Sequence, residues 1–341
     1  MGMTTYVAEI REQPQALATL LEHDPARQVA SLDVSRFRRV ILSGMGASHY
    51  ATHPAWLILV QAGVPAWWIE TGELLHHARE LIGPDTLLWL TSQSGYSAEI
   101  TTLLTTHGAR RPRRLVALTN DPGSPLALAA DLPVEIHAGH EEAVSTKSYV
   151  NSLVAAQLLA LSLVGAEDPR PDLERTIAGM DEFLGVACDR NLEAVAEALG
   201  EPRQLVTLAR GEALHAAWTG ALILKEAARC PAEGMSAGQF RHGPLELAGP
   251  DLTAILLEGS GDTAALNRGL AEDLVQAGAH VLWIGAHAPV RARHLPGPPA
   301  QGIGVRVAEI VPLQLMTIAM ARLRGVDPGE FQYSSKVTVR E

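Results

Sequence analysis

The chain has 341 residues, of which 47% are apolar and 19% charged, and its formal net charge is −11. That length predicts about two domains, and the apolar content argues against a disordered protein. The negative charge argues against nucleic acid and membrane surfaces as partners, and an anionic substrate would have to be held by local donors.

The cysteines and the N-terminus bear on where the protein works. Cys188 and Cys230 occur in no metal or redox spacing. Two separate thiols in a long chain indicate a reducing compartment, so we expect a cytoplasmic protein. The N-terminus lacks the order of a signal peptide, and no uninterrupted apolar run is long enough to predict a transmembrane helix.

Apolar runs alternate with helical stretches along most of the chain. A helical segment is predicted over residues 1–34, then one block over 35–165, a second over 173–325 and a C-terminal tail over 326–341. Predicted strands are 39–43, 65–69, 86–90, 114–118, 132–136, 204–209, 252–257 and 281–284. This alternation predicts an α/β protein with parallel sheets covered on both faces. The repeated order of helix, strand, glycine turn and helix indicates an internal duplication.

A hydroxyl-rich turn, Ser92-Gln93-Ser94-Gly95-Tyr96-Ser97, follows the third predicted strand. A helix is predicted to begin at Ala98, so several hydroxyls and backbone N–H groups converge above a helix N-terminus. Such a position favours an anion, and a phosphate in particular. An ordinary helix cap is the alternative interpretation, although a cap needs only one hydroxyl.

Two other segments resemble cofactor or metal sites but lack the required spacing. Gly44 and Gly46 follow a predicted strand, yet the dinucleotide-binding pattern needs a third glycine where this chain has His49. The two glycines either form a tight turn or let Ser48 approach a ligand. Residues 137–142 contain metal-ligand types in no defensible ligand spacing, so we expect a solvated loop. We therefore expect no cofactor and no metal.

Glu226 is the most evident acid–base candidate in the second block. It lies four residues after Leu222, which lies four residues after Trp218, so all three share one face of a predicted helix. Burial on that face and proximity to the helix C-terminus would both raise the pKa of the carboxyl, as a general base requires. A salt bridge to Arg229 is the structural alternative. His242, in a His-Gly-Pro turn, indicates no specific role by itself.

Short motifs spread over nearly the whole chain carry a family resemblance. They are Glu9–Ala16, Gly44–His49, Ser92–Gly95, Ser145–Lys147, Gly220–Leu222, Leu224–Glu226, Ala232–Glu233, Arg241–Pro244, Pro312–Leu315 and Lys336–Thr338. Together they resemble the double sugar-isomerase (SIS) family, and most closely the isomerase half of the glucosamine-6-phosphate synthases. The resemblance implies two SIS-type subdomains, each a parallel sheet in a three-layer, flavodoxin-like arrangement.

The resemblance also implies roles for the matching side chains. Substrate and phosphate contacts are implied for Ser48, Ser92, Gln93, Ser94, Ser97, Ser145 and Lys225. Glu226 resembles the base that moves a proton between the first two sugar carbons. His242 resembles the acid–base group that opens the sugar ring and reaches in from the neighbouring subunit of a homodimer. Lys336 resembles the lysine that engages the substrate carbonyl.

The synthases begin with a glutaminase domain whose first residue is a nucleophilic cysteine, and neither cysteine here is terminal. The resemblance therefore implies the ammonia-releasing direction, in which an amino-sugar phosphate such as glucosamine 6-phosphate becomes a ketose phosphate. The alternatives are a plain aldose–ketose phosphosugar isomerase, a fructosamine-phosphate deglycase and a phosphosugar-binding regulator without turnover. The joint presence of Glu226, His242 and Lys336 argues against the regulator.

Overall fold

Helices and strands alternate along the chain in the computed structural model, which describes residues 4–106, 111–338 and 340. The strands are β1 (Arg39–Gly44), β2 (Ala66–Trp68), β3 (Thr86–Thr91), β4 (Arg114–Thr119), β5 (Leu132–Glu135), β6 (Gln204–Ala209), β7 (Ala232–Ser236), β8 (Leu252–Leu257), β9 (His280–Ile284) and β10 (Arg293–His294). The helices are α1 (Thr5–Arg11), α2 (Gln13–Glu22), α3 (Gly46–Ala51), α4 (His53–Gln61), α5 (Thr71–His76), α6 (Ala98–Thr106), α7 (Pro125–Ala129), α8 (Lys147–Leu163), α9 (Arg170–Leu184), α10 (Cys188–Leu199), α11 (Leu214–Ala228), α12 (Ala237–Phe240), α13 (Gly261–Gln276), α14 (Gly304–Ala308) and α15 (Ile310–Leu323).

The chain divides into two units, each built on one parallel sheet. The first unit, Gln15–Pro171 with the described residues from Gln332 onward, holds the sheet β2-β1-β3-β4-β5. The second unit, Asp172–Phe331 with the described residues up to Pro14, holds the sheet β10-β9-β8-β6-β7. Numbered within its own unit, each sheet has the strand order 2-1-3-4-5 of flavodoxin-like folds. The predicted fold class is therefore confirmed, and the shared order is what an internal duplication produces.

The structure contains two edge strands that the sequence pattern did not predict, β7 and β10. β7 has no apolar run, since its sequence is Ala-Glu-Gly-Met-Ser, and an added Cβ on its Gly234 would come 2.6 Å from the backbone oxygen of Ala217 in α11. β10 has only two residues, both exposed. The N-terminal segment also differs, since the predicted helical stretch consists of α1, α2 and short 3₁₀ turns at Pro25–Gln28 and Val34–Arg36.

Among the described residues, one helical stretch, Gly304–Leu323, is long and apolar enough to span a membrane. However, 89% of its most apolar 18 residues are buried inside the protein. Within the second unit, α15 packs against α10 and α11. Burial of that kind is expected of a helix in a protein core.

Two buried histidines, His49 in α3 and His53 in α4, pack against Trp68 in the first unit. The His49 ring stacks on Trp68 with centroids 3.8 Å apart, and the His53 ring meets Trp68 edge-on at 5.1 Å. Burial lowers the pKa of His49 to about 3, with His53 acting in the same direction, and burial lowers the pKa of His53 to about 4. Both rings are therefore neutral near pH 7, and the cluster serves as apolar packing.

We expect the free energy of unfolding to decrease on acidification because of this cluster. The unfolded histidines titrate near pH 6.5, so below that value the unfolded chain binds protons that the folded cluster excludes. Each ring should contribute a loss of about 1.4 kcal/mol per pH unit until the pH approaches its folded pKa. The measurement is denaturant unfolding at several pH values, followed by tryptophan fluorescence.

The His49→Phe variant keeps a ring against Trp68 and should lose one of these two contributions to the pH slope. The exposed His140, in the same unit, provides the matched control, and His140→Gln should keep the slope of the native chain. Identical slopes for His49→Phe and the native chain would contradict the assignment.

Candidate active site

The serine turn, Ser92–Ser97, lies where the central strands of the first unit end. β1 and β3 are neighbours in the sheet, with Gly44 paired to Thr91, so the segments that follow them leave the sheet side by side. β1 leads into α3, which carries Ser48, and β3 leads into the serine turn. The connections from these two strands diverge to opposite sides of the sheet, and ligands of such folds bind at this divergence.

Gly95 determines the shape of the serine turn. Its N–H donates to Ser92 Oγ at 3.1 Å, and Ser92 Oγ lies 3.4 Å from Ser97 Oγ. The φ angle of Gly95 is +70°, and an added Cβ would come 2.2 Å from Ser124 Oγ. Only glycine meets both conditions without rearrangement. Since Ser92 Oγ accepts the Gly95 N–H, its own hydrogen is left for Ser97 Oγ or for a ligand.

The remaining predicted contacts of this unit, Ser48, Gln93, Ser94 and Ser145, are half-buried. Ser94 Oγ accepts the N–H of Tyr96 at 3.2 Å, which orients this hydroxyl within the serine turn. The Gln93 backbone oxygen accepts the N–H of the residue that follows β4, at 2.9 Å, so the turn is tied to the neighbouring strand end. These side chains are thus held on ordered backbone while keeping solvent access.

The C-terminal tail packs against the serine turn. The N–H of Ala98, the first residue of α6, donates to the Thr338 carbonyl oxygen at 3.0 Å. Lys336 Nζ donates to Glu141 Oε2 and to a carbonyl oxygen of the same loop, each at 2.6 Å. The tail therefore contacts both the start of α6, next to the serine turn, and, through Lys336, the loop that leads to Ser145.

The expectation of a solvated loop over residues 137–142 is wrong for Glu141, which is 5% exposed. Its Oε1 accepts the N–H groups of Thr146 and Ser148 at 2.9 and 3.0 Å. Burial by itself would raise the pKa of this carboxyl, but the Lys336 charge and hydrogen bonds from Lys336 and Ser148 outweigh it, so its pKa lies below the usual value. A charged Glu141 thus joins the tail to the start of α8. Local sequence held no signal for this pair, because its members are 195 positions apart.

Lys225 and Glu226 lie in the second unit, in the last turn of α11, and both are exposed. The expectation that Glu226 lies on a buried apolar face is therefore wrong. Leu224 and Ala227 are on the buried face of this helix, whereas the stripe that begins at Trp218 is only partly covered.

His242, also in the second unit, follows α12 in a constrained turn. Ser236 caps the start of α12, and the fully buried Phe240 anchors its end. The backbone N–H of His242 donates to the Gln239 oxygen at 2.9 Å, and Gly243 has a φ angle of +132°. The backbone is thereby fixed, while the His242 side chain is exposed.

Comparison with known families agrees with the duplicated fold. The model of the SIS domain matches residues 34–162 and 198–323, one copy in each unit. The chain belongs to the SIS domain family. Together the two matches cover more than half of the chain.

The glutamine–fructose-6-phosphate aminotransferase (isomerizing) of Thermococcus kodakarensis is 29% identical over 335 residues, covering 94% of this SIS chain and 55% of that protein. The chain thus spans about half the length of the curated relatives it matches. The C-terminal domain of the Francisella tularensis glucosamine-fructose-6-phosphate aminotransferase has a TM-score of 0.82 at 21% identity, covering 96% of this chain and 98% of that one. Glucosamine-6-phosphate deaminase from Thermotoga maritima has a TM-score of 0.75 at 22% identity, and the match covers 98% of this chain and 99% of that one. These two structural likenesses establish the fold.

The Glu141→Gln variant should loosen the tail, because it removes the charge that holds Lys336 while keeping the size of the side chain. A hydrogen bond to a charged group contributes about 1.5–3 kcal/mol, so amide exchange in the C-terminal peptide should accelerate by roughly ten- to a hundredfold. Hydrogen–deuterium exchange read by mass spectrometry measures this. The neighbouring Glu142 is exposed, and Glu142→Gln should leave the exchange unchanged. If Glu141→Gln exchanges at the native rate, Glu141 does not anchor the tail.

The Gly95→Ala variant should destabilise the protein more than Gly139→Ala does. Both glycines have a φ angle of +70°, but a Cβ at position 139 meets nothing within 4 Å, whereas one at position 95 meets Ser124. In the control, backbone strain should therefore lower the free energy of unfolding by about 1–2 kcal/mol. In Gly95→Ala, the contact with Ser124 should lower it further. Urea denaturation of both variants measures the two losses of stability. Equal losses would show that the Ser124 contact does not contribute.

Proposed function

We propose that this protein binds an amino-sugar phosphate, of the glucosamine 6-phosphate kind, and converts it into a ketose phosphate and ammonia by acid–base enolisation. The observation that carries the proposal is the convergence, in one unit, of the serine turn, the Ser145 loop and Lys336. Two relatives support the choice of substrate, since one is named as an aminotransferase of fructose 6-phosphate and the other as a glucosamine-6-phosphate deaminase.

The phosphate is assigned to the serine turn. Ser92, Ser94 and Ser97 offer hydroxyl donors at the start of α6, and Ser48 adds one from the neighbouring strand end. A helix N-terminus and several hydroxyls attract a dianion locally. Local donors are needed because the net charge of −11 repels anions over longer distances.

The acid–base steps are assigned to Glu226 and His242, which match the family motifs. His242 protonates the ring oxygen as the ring opens, and Lys336 together with Ser145 engages the open carbonyl end. Glu226 removes the proton from C2 and returns it to C1, so the carbon skeleton passes through an enolamine. Water then hydrolyses the C2 imine, and ammonia leaves. Lys225, next to the base, contributes a positive charge to the substrate pocket.

The protein is proposed to act as a homodimer with shared active sites, in which His242 serves the site of the neighbouring subunit. The exposed His242 side chain on a fixed turn is what such a role requires. The cytoplasm is the proposed compartment, since Cys188 and Cys230 are free thiols that a reducing environment preserves.

The proposal is tested by incubating the purified chain with glucosamine 6-phosphate and measuring ammonia and ketose phosphate together. Glu226→Gln should lower kcat by about 10²–10⁴-fold with little change in KM, because only proton transfer is removed. Glu193 is exposed on α10, and Glu193→Gln should retain native kinetics.

The products distinguish the alternatives. Interconversion of glucose 6-phosphate and fructose 6-phosphate at a higher kcat/KM, without ammonia, would replace the proposal by a plain isomerase. Turnover of fructosamine phosphates alone would replace it by a deglycase. Absence of turnover for every substrate, with binding retained, would identify a regulator.

The shared site is tested by mixing two inactive variants, Ser94→Ala and His242→Ala. If His242 acts across the dimer, each mixed dimer contains one site with both native residues. Random mixing should then restore about one quarter of native activity, since half of the dimers are mixed and half of their sites are intact. No recovery from confirmed mixed dimers would place His242 in the site of its own subunit.

A further inference from the structure

The second unit carries carboxylates at the sheet edge where the first unit carries hydroxyls. By strand order, β6 and β8 are the counterparts of β1 and β3, and they pair in parallel with Leu208 opposite Leu256. Glu258 follows β8 directly, as Ser92 follows β3. The charge at this position is therefore opposite to what a phosphate requires.

A cavity of about 510 Å³ opens at this edge, wholly within the second unit. Its polar lining includes Glu258 and Glu309, and its apolar lining includes Ile284, Leu295 and Val305. Cavities of this size accommodate small organic ligands. The lining thus combines two carboxyl groups and the His294 ring, whose Nε2 lies 2.8 Å from the Gly285 backbone oxygen, with aliphatic walls.

Glu309 is the group in this cavity whose bonding capacity is unfilled. It is 7% exposed as a whole, and its Oε2, which is itself closed to solvent, has no hydrogen-bond partner among the described residues. His215 Nε2 is 3.9 Å away, beyond hydrogen-bonding distance. Burial raises the pKa of this carboxyl to about 8, Glu212 and Glu258 act in the same direction, and Arg306 opposes them. A buried carboxyl in this condition is costly unless a donor reaches it.

The neighbouring carboxylates already have partners. Glu212 pairs with Arg306 and accepts the Ser260 hydroxyl at 2.6 Å. Glu258 Oε2 accepts the N–H of Ala286 at 2.6 Å, and its other oxygen lies 3.7 Å from Arg268. Among these three carboxyls Glu309 therefore has the fewest hydrogen bonds, and a ligand in the cavity would reach it through its 7% exposed part.

The walls indicate what kind of donor fits. A bare metal ion is disfavoured, because the described residues include no group of three or more His, Cys, Asp or Glu suited to holding one. An anion is disfavoured because Glu258 would repel a second negative charge placed beside it. An organic ammonium ion satisfies both parts of the lining, since its charged end donates hydrogen bonds and its carbon chain covers apolar surface.

We propose that the cavity of the second unit is a binding site for a small organic ammonium ion, which donates to Glu309 and Glu258 and packs its carbon chain against Ile284, Leu295 and Val305. The proposal does not rest on the function proposed above, because the site uses none of the residues assigned there. Binding should be coupled to proton release, since the ammonium stays charged while Glu309 gives its proton to the buffer.

The test titrates the full chain with n-butylammonium at pH 7 by isothermal calorimetry, in two buffers of different ionisation enthalpy. We expect saturable binding at one site per chain with release of about one proton. Butanol, which has the same carbon chain without the charge, and butyrate, which has the opposite charge, should give no saturable heat.

Two variants locate the site. Glu309→Gln should weaken n-butylammonium binding at least tenfold and abolish proton release, with folding verified by circular dichroism. Val305 is 38% exposed at the cavity wall, and Val305→Trp should block binding while leaving Glu309 in place. Glu272 is exposed on α13, and Glu272→Gln should bind as the native chain does.

The proposal is overturned if the native chain shows no saturable binding of n-butylammonium. It is equally overturned if Glu309→Gln and Val305→Trp bind with native affinity, or if butyrate binds as well as the ammonium ion. If the chain binds n-butylammonium but turns over no sugar phosphate, the proposed function is contradicted and the ammonium site is not.

Discussion

The close parallel pairing of β1 and β3 is the constraint on which the candidate site depends. An added Cβ on Gly44 would lie 2.8 Å from the Thr91 carbonyl oxygen, so the two strand ends approach as closely as they do only because position 44 has no side chain. Since the strands end in register, α3 and the serine turn leave the sheet at one place. The segments that carry Ser48 and Ser92 therefore start from the same edge of the sheet because of backbone pairing.

Charge then differentiates the two copies of the fold. In the first unit the strand ends carry small hydroxyl side chains, and the nearby acid, Glu141, is neutralised by Lys336. In the second unit the corresponding strand end carries Glu258, and the buried Glu309 lies beside it in the same cavity. Parallel sheets of identical order thus carry different side chains at their carboxyl edges, uncharged hydroxyls in one unit and carboxyls in the other.

The sequence predicted much of the fold because the buried strands are apolar runs. β3 and β8 have every residue buried, and both were predicted to within one residue at their ends. β7 was missed because its five residues, which include an acidic residue, a serine and a glycine closely approached by α11, form no apolar run. Glu226 was expected to be buried because spacing by four identifies a shared helix face, but it does not identify which face the rest of the unit covers.

The sequence by itself determined the duplicated α/β architecture and the position of the serine turn between β3 and a helix N-terminus. These features follow from local periodicity and backbone conformation, which neighbouring residues encode. Only the tertiary structure decided that Lys336 is held by Glu141, that Glu226 is exposed, and that Glu309 lies buried beside a cavity. Ion pairing, exposure and unmet hydrogen-bonding capacity depend on residues far apart in the chain, so they are defined only once the fold has brought those residues together.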